Sequence, residues 1–210
     1  MRNPFPATPK HQQCRVVIDS REQLPYDLAP LTVEVGALST GDYALGGEFS
    51  GLVCVERKSL QDFVSSASTG RSRLDRELQR MLAYPTRCIA IEATYADIDA
   101  GNWRAKATPK AIRNSIASFI SRGICVMMCD DRTGGQKFVG GLLWRVWLHE
   151  YRRIRQIARD LSVGDDELAI TARELRGCGA SVSQVARALG VTQQRVREFE
   201  QSPATEPVRG

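Results

Sequence analysis

Two short, nearly uninterrupted apolar runs, RCIAIEA at 87–93 and GICVMMC at 123–129, constrain this chain more than any other feature. Runs this dense belong to strands covered on both faces, because a strand with one wet face alternates apolar and polar residues. Between them, TPKAIRNSIASFISRG carries the punctuation of a helix, with Thr108 as N-cap, Pro109 in the first turn and Gly123 as the stop. Strand, helix and strand in succession imply a layered α/β architecture, a mixed central sheet flanked by helices.

The remaining segments fit that plan. CRVVID (14–19) is a short apolar run ending in an acid, and LTVEVGAL (31–38) alternates like a strand. GDYALGGEFSGLVCVERK reads as a hairpin whose loop holds Gly46, Gly47 and Gly51. A helix follows from Ser59 with Leu60, Phe63 and Val64 on one face, then a second with Leu74, Leu78, Met81 and Leu82 before Pro85. A long helix is expected over 136–161, its inner face made by Phe138, Leu142, Val146, Ile154, Ile157 and Leu161. Composition shifts at SVGDDE (162–167). The expected organisation is a tail at 1–12, a main domain at 13–162, a small all-α unit at 163–201 and a second tail at 202–210.

A chain of 210 residues with 42% hydrophobic content suits such a domain plus a small appendage. No apolar run approaches a membrane span, and the first residues lack the apolar stretch of a signal peptide, so a cytoplasmic protein is expected. Six cysteines are scattered without a CxxC pair or a nearby histidine, which favours core thiols over a zinc set. Residues 101–165 carry twelve Lys or Arg against five acids, whereas residues 1–100 carry eleven against thirteen. The middle of the chain therefore has either the electrostatics of a polyanion-binding surface or simply a solvated basic helix face.

The hairpin's second strand ends in Glu56, Arg57 and Lys58. Strand alternation sends Glu56 and Lys58 to one face and Arg57 to the other. A loop centred near Phe49 sets Asp42 opposite Glu56, and Asp19 ends the first run at the same sheet edge. Two or more carboxylates can hold a hard divalent cation, and an adjacent lysine can orient a water or stabilise charge on a phosphate. The alternative is a strand end reaching solvent, with Asp42 a turn residue after Gly41.

GDY followed by VERKSLQDFVSSASTGR resembles the signature of the XPF-type structure-specific endonucleases: GD, a gap, ERK, three residues and D. Gly41 and Asp42, then Glu56, Arg57 and Lys58, then Asp62 match it. VVIDSRE, with Asp19, Arg21 and Glu22, and the pair Gly70 and Arg71 are similar to flanking family positions, so the likeness covers about residues 14–145. The resemblance implies a restriction-endonuclease-like fold, Mg²⁺ or Mn²⁺, and cleavage of DNA at branches, flaps or forks in repair or recombination, with a homodimer as one arrangement. It makes Asp19, Asp42 and Glu56 metal ligands and places Lys58 on the attacking water. Arg57 and Arg71 become candidate DNA contacts, with structural roles open for both. Arg21 and Glu22 are open between substrate and structural roles, and Asp62 equally fits a helix cap with Ser59. Many family members carry tandem helix-hairpin-helix units with glycine-rich hairpins, and no such hairpins are visible here. A non-catalytic DNA-binding or regulatory subunit on the same scaffold is the rival reading; the intact Asp42, Glu56 and Lys58 speak against it.

SVSQVARALGVTQQRVREFEQ is similar to the helix-turn-helix of bacterial repressors and resolvases over about twenty residues. Val185, Leu189, Val191, Val196 and Phe199 supply the apolar contacts, Ala186 the helix crossing, Gly190 the turn and Thr192 the second cap. Gln193, Gln194, Arg195 and Arg197 are left to reach base edges. A packing hairpin is the alternative, since residues 166–210 hold six basic and six acidic residues. His11 and His149 read as isolated, and Trp103, Trp144 and Trp147 as packing residues.

Overall fold

Six strands form one sheet in the first of two compact units, residues 8–150, and a computed structural model describes residues 8–160 and 165–201 of the chain. The strands are β1 (Arg15–Asp19), β2 (Thr32–Gly36), β3 (Tyr43–Leu45), β4 (Val53–Ser59), β5 (Thr86–Glu92) and β6 (Cys125–Met128), in the order β2-β1-β3-β4-β5-β6. β1 runs parallel to β2 and antiparallel to β3, β3 and β4 form the hairpin, and β4, β5 and β6 are parallel. The sheet is mixed, as the alternation of element types predicts. Helices α1 (Leu60–Ala67), α2 (Arg71–Met81), α3 (Tyr95–Ala100), α4 (Pro109–Ser121) and α5 (Arg132–Asp160) lie between and after these strands.

Parity along the strands sorts the core into two layers. Cys54, Ile89 and Ile91 pack with Phe63, Val64, Leu74, Leu78, Met81, Ile112, Ile116 and Phe119, so α1, α2 and α4 cover one face. Tyr43, which pairs with both Ile18 and Val55, belongs to the opposite face. There Phe49 meets Trp147 of α5 edge-on, and a Cβ on Gly135 would lie 2.2 Å from Tyr26 Oη. Thr108 caps α4 by accepting from Ala111 N, with Pro109 in the first turn.

The long helix departs from the expected pattern in two ways. It starts at Arg132, and its buried row is Val139, Leu143 and Trp147, while Phe138, Leu142 and Val146 sit half-buried one position round. Two neighbouring stripes of this helix are apolar; the one in line with Gly135 is buried because the backbone can approach Tyr26 only where no Cβ intervenes. Ile154 is half-buried, and the side chains of Ile157 and Leu161 lie outside the described residues.

Residues 8–12, assigned to a tail by their composition, are partly built in. His11–Gln13 forms a 3₁₀ turn, Thr32 Oγ1 donates to the Gln12 carbonyl at 2.7 Å, and the His11 ring stacks on Trp144 at 4.1 Å. Edge strand β2 and Trp144 supply partners that local sequence does not reveal. Residues 1–7, 161–164 and 202–210 lie outside the described residues.

The second unit begins at Tyr151 and contains α6 (Asp165–Gly177), α7 (Val182–Leu189) and α8 (Gln193–Gln201). Ala169, Ala172, Val185, Ala186, Val196 and Phe199 form its core. Ser181 and Gln184 cap α7 reciprocally, Gly190 ends it in the left-handed region at φ 65°, and Thr192 Oγ1 accepts from Arg195 N. Among the described residues no helix is long and apolar enough to cross a membrane.

Candidate active site

The hairpin register places the first two acids. Tyr43 pairs with Val55 and Ala44 with Cys54, so the next step sets Asp42 beside Glu56 on the face covered by α1 and α2. Asp42 N donates to Val55 O at 2.8 Å, and Arg57 N donates to Asp42 Oδ2 at 2.7 Å. Gly41 makes this close approach possible. It has φ 75°, and a Cβ there would lie 2.5 Å from Cys54 Sγ and 3.0 Å from Val55 O. Gly41→Ala is therefore expected to cost about 2–3 kcal/mol of stability through left-handed strain and overpacking, read as a lowered urea midpoint.

Asp19 reaches the same cleft but is fully engaged. Its carboxylate, 2% exposed, accepts from Arg21 N, Arg21 Nε and Arg21 Nη2 at 2.8, 2.7 and 2.9 Å and from Leu38 N at 2.8 Å. Each oxygen thus takes two donors, which fills its acceptor capacity. Hydrogen bonds from Arg21 hold this carboxyl well below the ordinary aspartate range. In this geometry Asp19 anchors the loop after β2 instead of presenting a free oxygen to a metal, and Arg21 serves Asp19 and the Leu38 carbonyl.

Glu56 is 6% exposed and accepts from Lys58 Nζ at 2.6 Å. Burial pushes its pKa up to about 8, the charges of Asp42 and Glu77 adding to the effect while Lys58 opposes it. Asp42 is pushed up to about 6, again mainly by burial, with the Arg57 N–H opposing and the Glu22 charge adding. Burial alone would lower the Lys58 pKa, but Glu56, Glu77 and Asp42 outweigh it and raise it. The site is an acid-rich recess whose charges favour a cation.

Helix α2 supplies a second wall that sequence reasoning missed. Arg73, Glu77 and Arg80 line the cleft, Arg73 and Glu77 shared between the lobe holding Asp42 and Glu56 and the lobe holding Lys58 and Asp62. Each of these three immediately precedes a buried residue, Leu74, Leu78 or Met81, so they form the row flanking the apolar stripe. That flanking position is the only signal the sequence offers, and it is equally the signal of a solvated helix edge.

The motif residues not pointing into the recess have other work. Arg57 projects to the opposite face, where Nε and Nη2 meet Glu92 at 2.8 and 3.1 Å and Nη1 lies 3.5 Å from Glu22. Tyr26 Oη donates to Glu92 at 2.9 Å, and Glu22 also accepts from Leu24 N. Arg71 donates to Ser115 Oγ and Asp75 and lies 4.8 Å over the Phe119 ring. Arg57 and Arg71, candidate DNA contacts, are thus engaged by internal partners; strand parity fixed the face of Arg57 but not its distant acids. Asp62 N donates to Ser59 Oγ, which donates back to Asp62 Oδ2, so Ser59 caps α1 and Asp62 holds the capping hydroxyl at the rim of the cleft. In the second unit Gln193, Gln194 and Arg197 are exposed, whereas Arg195 pairs with Glu198 and lies 4.9 Å over the Phe199 ring.

The donor chemistry suits a hard divalent cation. Asp42 and Glu56 offer carboxylate oxygens side by side, and Thr40 Oγ1, which lines the same lobe, is buried without a hydrogen-bond partner. Among the described residues no three metal-ligating side chains already stand close enough to close on one ion, with Arg21 on Asp19 and Lys58 on Glu56.

Comparison with known proteins adds to this geometry. The ERCC4 domain family model matches residues 18–142. No curated protein matches the chain. Among solved structures the chain is similar to XPF from Aeropyrum pernix, at 21% identity and TM-score 0.50 over 91% of this chain and 100% of that one. XPF from Aeropyrum pernix in complex with DNA matches at 21% identity and TM-score 0.50, over 90% of this chain and 99% of that one.

Proposed function

Because this chain belongs to the ERCC4-domain, XPF-type nuclease family, we propose that it is a divalent-metal-dependent DNA endonuclease acting at branched DNA in repair or recombination. The observation that carries the proposal is the placement of Asp42, Glu56 and Lys58 together on one sheet face, in a recess whose burial raises both carboxyl pKa values. Asp42 and Glu56 would hold Mg²⁺ or Mn²⁺. When bound, such an ion neutralises charge on the scissile phosphate and lowers the pKa of a water. The protein's own contributions are positional. The Arg57 N–H fixes Asp42 Oδ2, and the sheet fixes Glu56 beside it. Lys58 brings an ammonium that can orient the attacking water and stabilise charge on the phosphoryl oxygens during in-line displacement. The products would be a 3′-hydroxyl and a 5′-phosphate.

DNA as the partner accords with the relative solved in complex with DNA. In the second unit, exposed Gln193, Gln194 and Arg197 on α8 would meet the duplex as a helix-turn-helix. The deciding experiment is cleavage of flap, fork and plain duplex substrates with Mg²⁺ or Mn²⁺. Branched substrates should be cut at least about tenfold faster than duplex, with Lys58→Ala cutting about 10²-fold or more slower than wild type. Deleting residues 163–210 should weaken DNA affinity about tenfold while sparing scission. A wild-type chain that binds DNA but cuts none of these would instead be a non-catalytic subunit.

A further inference from the structure

We propose that Glu77 is a positioning residue that receives the Lys58 ammonium when Glu56 turns to a divalent cation, an inference that rests on the nuclease reading above. The starting point is a conflict of charges. Lys58 Nζ sits 2.6 Å from Glu56 Oε1. Two cations held against the same carboxylate oxygen repel each other strongly at a site this buried. For Glu56 to give Oε1 itself to the cation, the lysine must leave that oxygen.

Few places can take it. Asp19 already accepts four donors, Asp62 is tied to Ser59, and Asp42 is the other ligand with one oxygen held by Arg57 N. Glu77 Oε2 lies 3.9 Å from Lys58 Nζ. A shift of about 1 Å brings the pair to the length of a charge-assisted hydrogen bond. The helix carrying Glu77 is well anchored, since Leu74, Leu78 and Met81 are fully buried and Asp75 is bound by Arg122. Glu77 thus keeps the ammonium within the cleft instead of releasing it to water, and without Glu77 the lysine stays on Glu56 as a competitor of the ion.

The test is a binding cycle on the full chain without DNA, with Mn²⁺ as probe and free ion read by electron paramagnetic resonance. Glu77→Gln should weaken Mn²⁺ binding about tenfold, and Glu77→Asp should recover it to within about threefold of wild type. On a Lys58→Met background, where no ammonium needs a receiver, Glu77→Gln should change the affinity by less than about twofold. Equal weakening in both backgrounds, or no weakening in either, overturns the proposal. A wild-type chain that completes this cycle as expected yet cuts no DNA removes the nuclease reading while supporting the hand-over; one that binds no Mn²⁺ overturns both.

Discussion

Glu56→Gln is expected to reduce DNA cleavage by about 10³-fold or more and, in the same protein, to raise the metal-free thermal midpoint at pH 8 by about 2–4 °C. The two effects share one cause. Glu56 is buried, and burial lifts its folded-state pKa to about 8 from an ordinary 4.5. The folded state therefore binds more protons than the unfolded chain between those values, so this carboxyl's contribution to stability is complete below pH 4.5 and is lost as pH rises through 8. Asp42 acts in the same direction between 3.8 and about 6. Glutamine cannot ionise, so its advantage should be present at pH 8 and vanish near pH 5, while Lys58 retains Glu77 as a partner. Melting curves at the two pH values without metal, beside cleavage rates with it, check both halves. A glutamine variant less stable than wild type at pH 8 would show that the ion pair with Lys58 outweighs burial. A functional acid that destabilises its own fold until a cation arrives is a common bargain at active sites.

How far the sequence discloses this site depends on whether the partners are near neighbours in a regular element. The pairing of Asp42 with Glu56 is legible because a hairpin's register follows from its loop, and a centre at Phe49 leads to the observed pairing of Tyr43 with Val55. The cap on α4 is legible for a similar reason, since Thr108, Pro109 and Ala111 lie within one turn. Asp19 reads as a free carboxylate because residue type does not say that Arg21, two residues on, folds back onto it with three donors, and because the fourth, Leu38 N, arrives nineteen residues later from the loop after β2. The choice of buried stripe on α5 turns on Tyr26 meeting Gly135, more than a hundred residues apart. Glu77 stands beside an apolar stripe, where an acid on a wet helix edge and an acid facing a catalytic recess are written identically. Local rules give the elements and parity gives the faces; which residues wait on those faces is decided by topology.

Arg57 is the case where that distinction has the largest effect on stability. Arg57→Ala is expected to destabilise the protein by about 3–5 kcal/mol, the cost of leaving a buried charge without its partner. The guanidinium is 13% exposed and Glu92 11%, and the pair is joined by two hydrogen bonds, with Tyr26 and Arg132 gathered on the same carboxylate. Removing the arginine strands both Glu92 and Glu22, with Arg132 3.7 Å from Glu92 as the remaining cation. The double substitution Arg57→Met with Glu92→Gln takes away both charges and should recover about half of the loss. Activity should follow folding: the alanine variant should regain cleavage when assayed well below its own midpoint, because Asp42 is held by the residue 57 backbone N–H, which alanine retains. Urea unfolding of the two variants, with cleavage rates taken at matched folded fraction, separates anchoring from chemistry. An alanine variant with an unchanged midpoint and abolished cleavage would place the guanidinium on the DNA, and the internal ion pairs would then be incidental to why this strand ends in three charges.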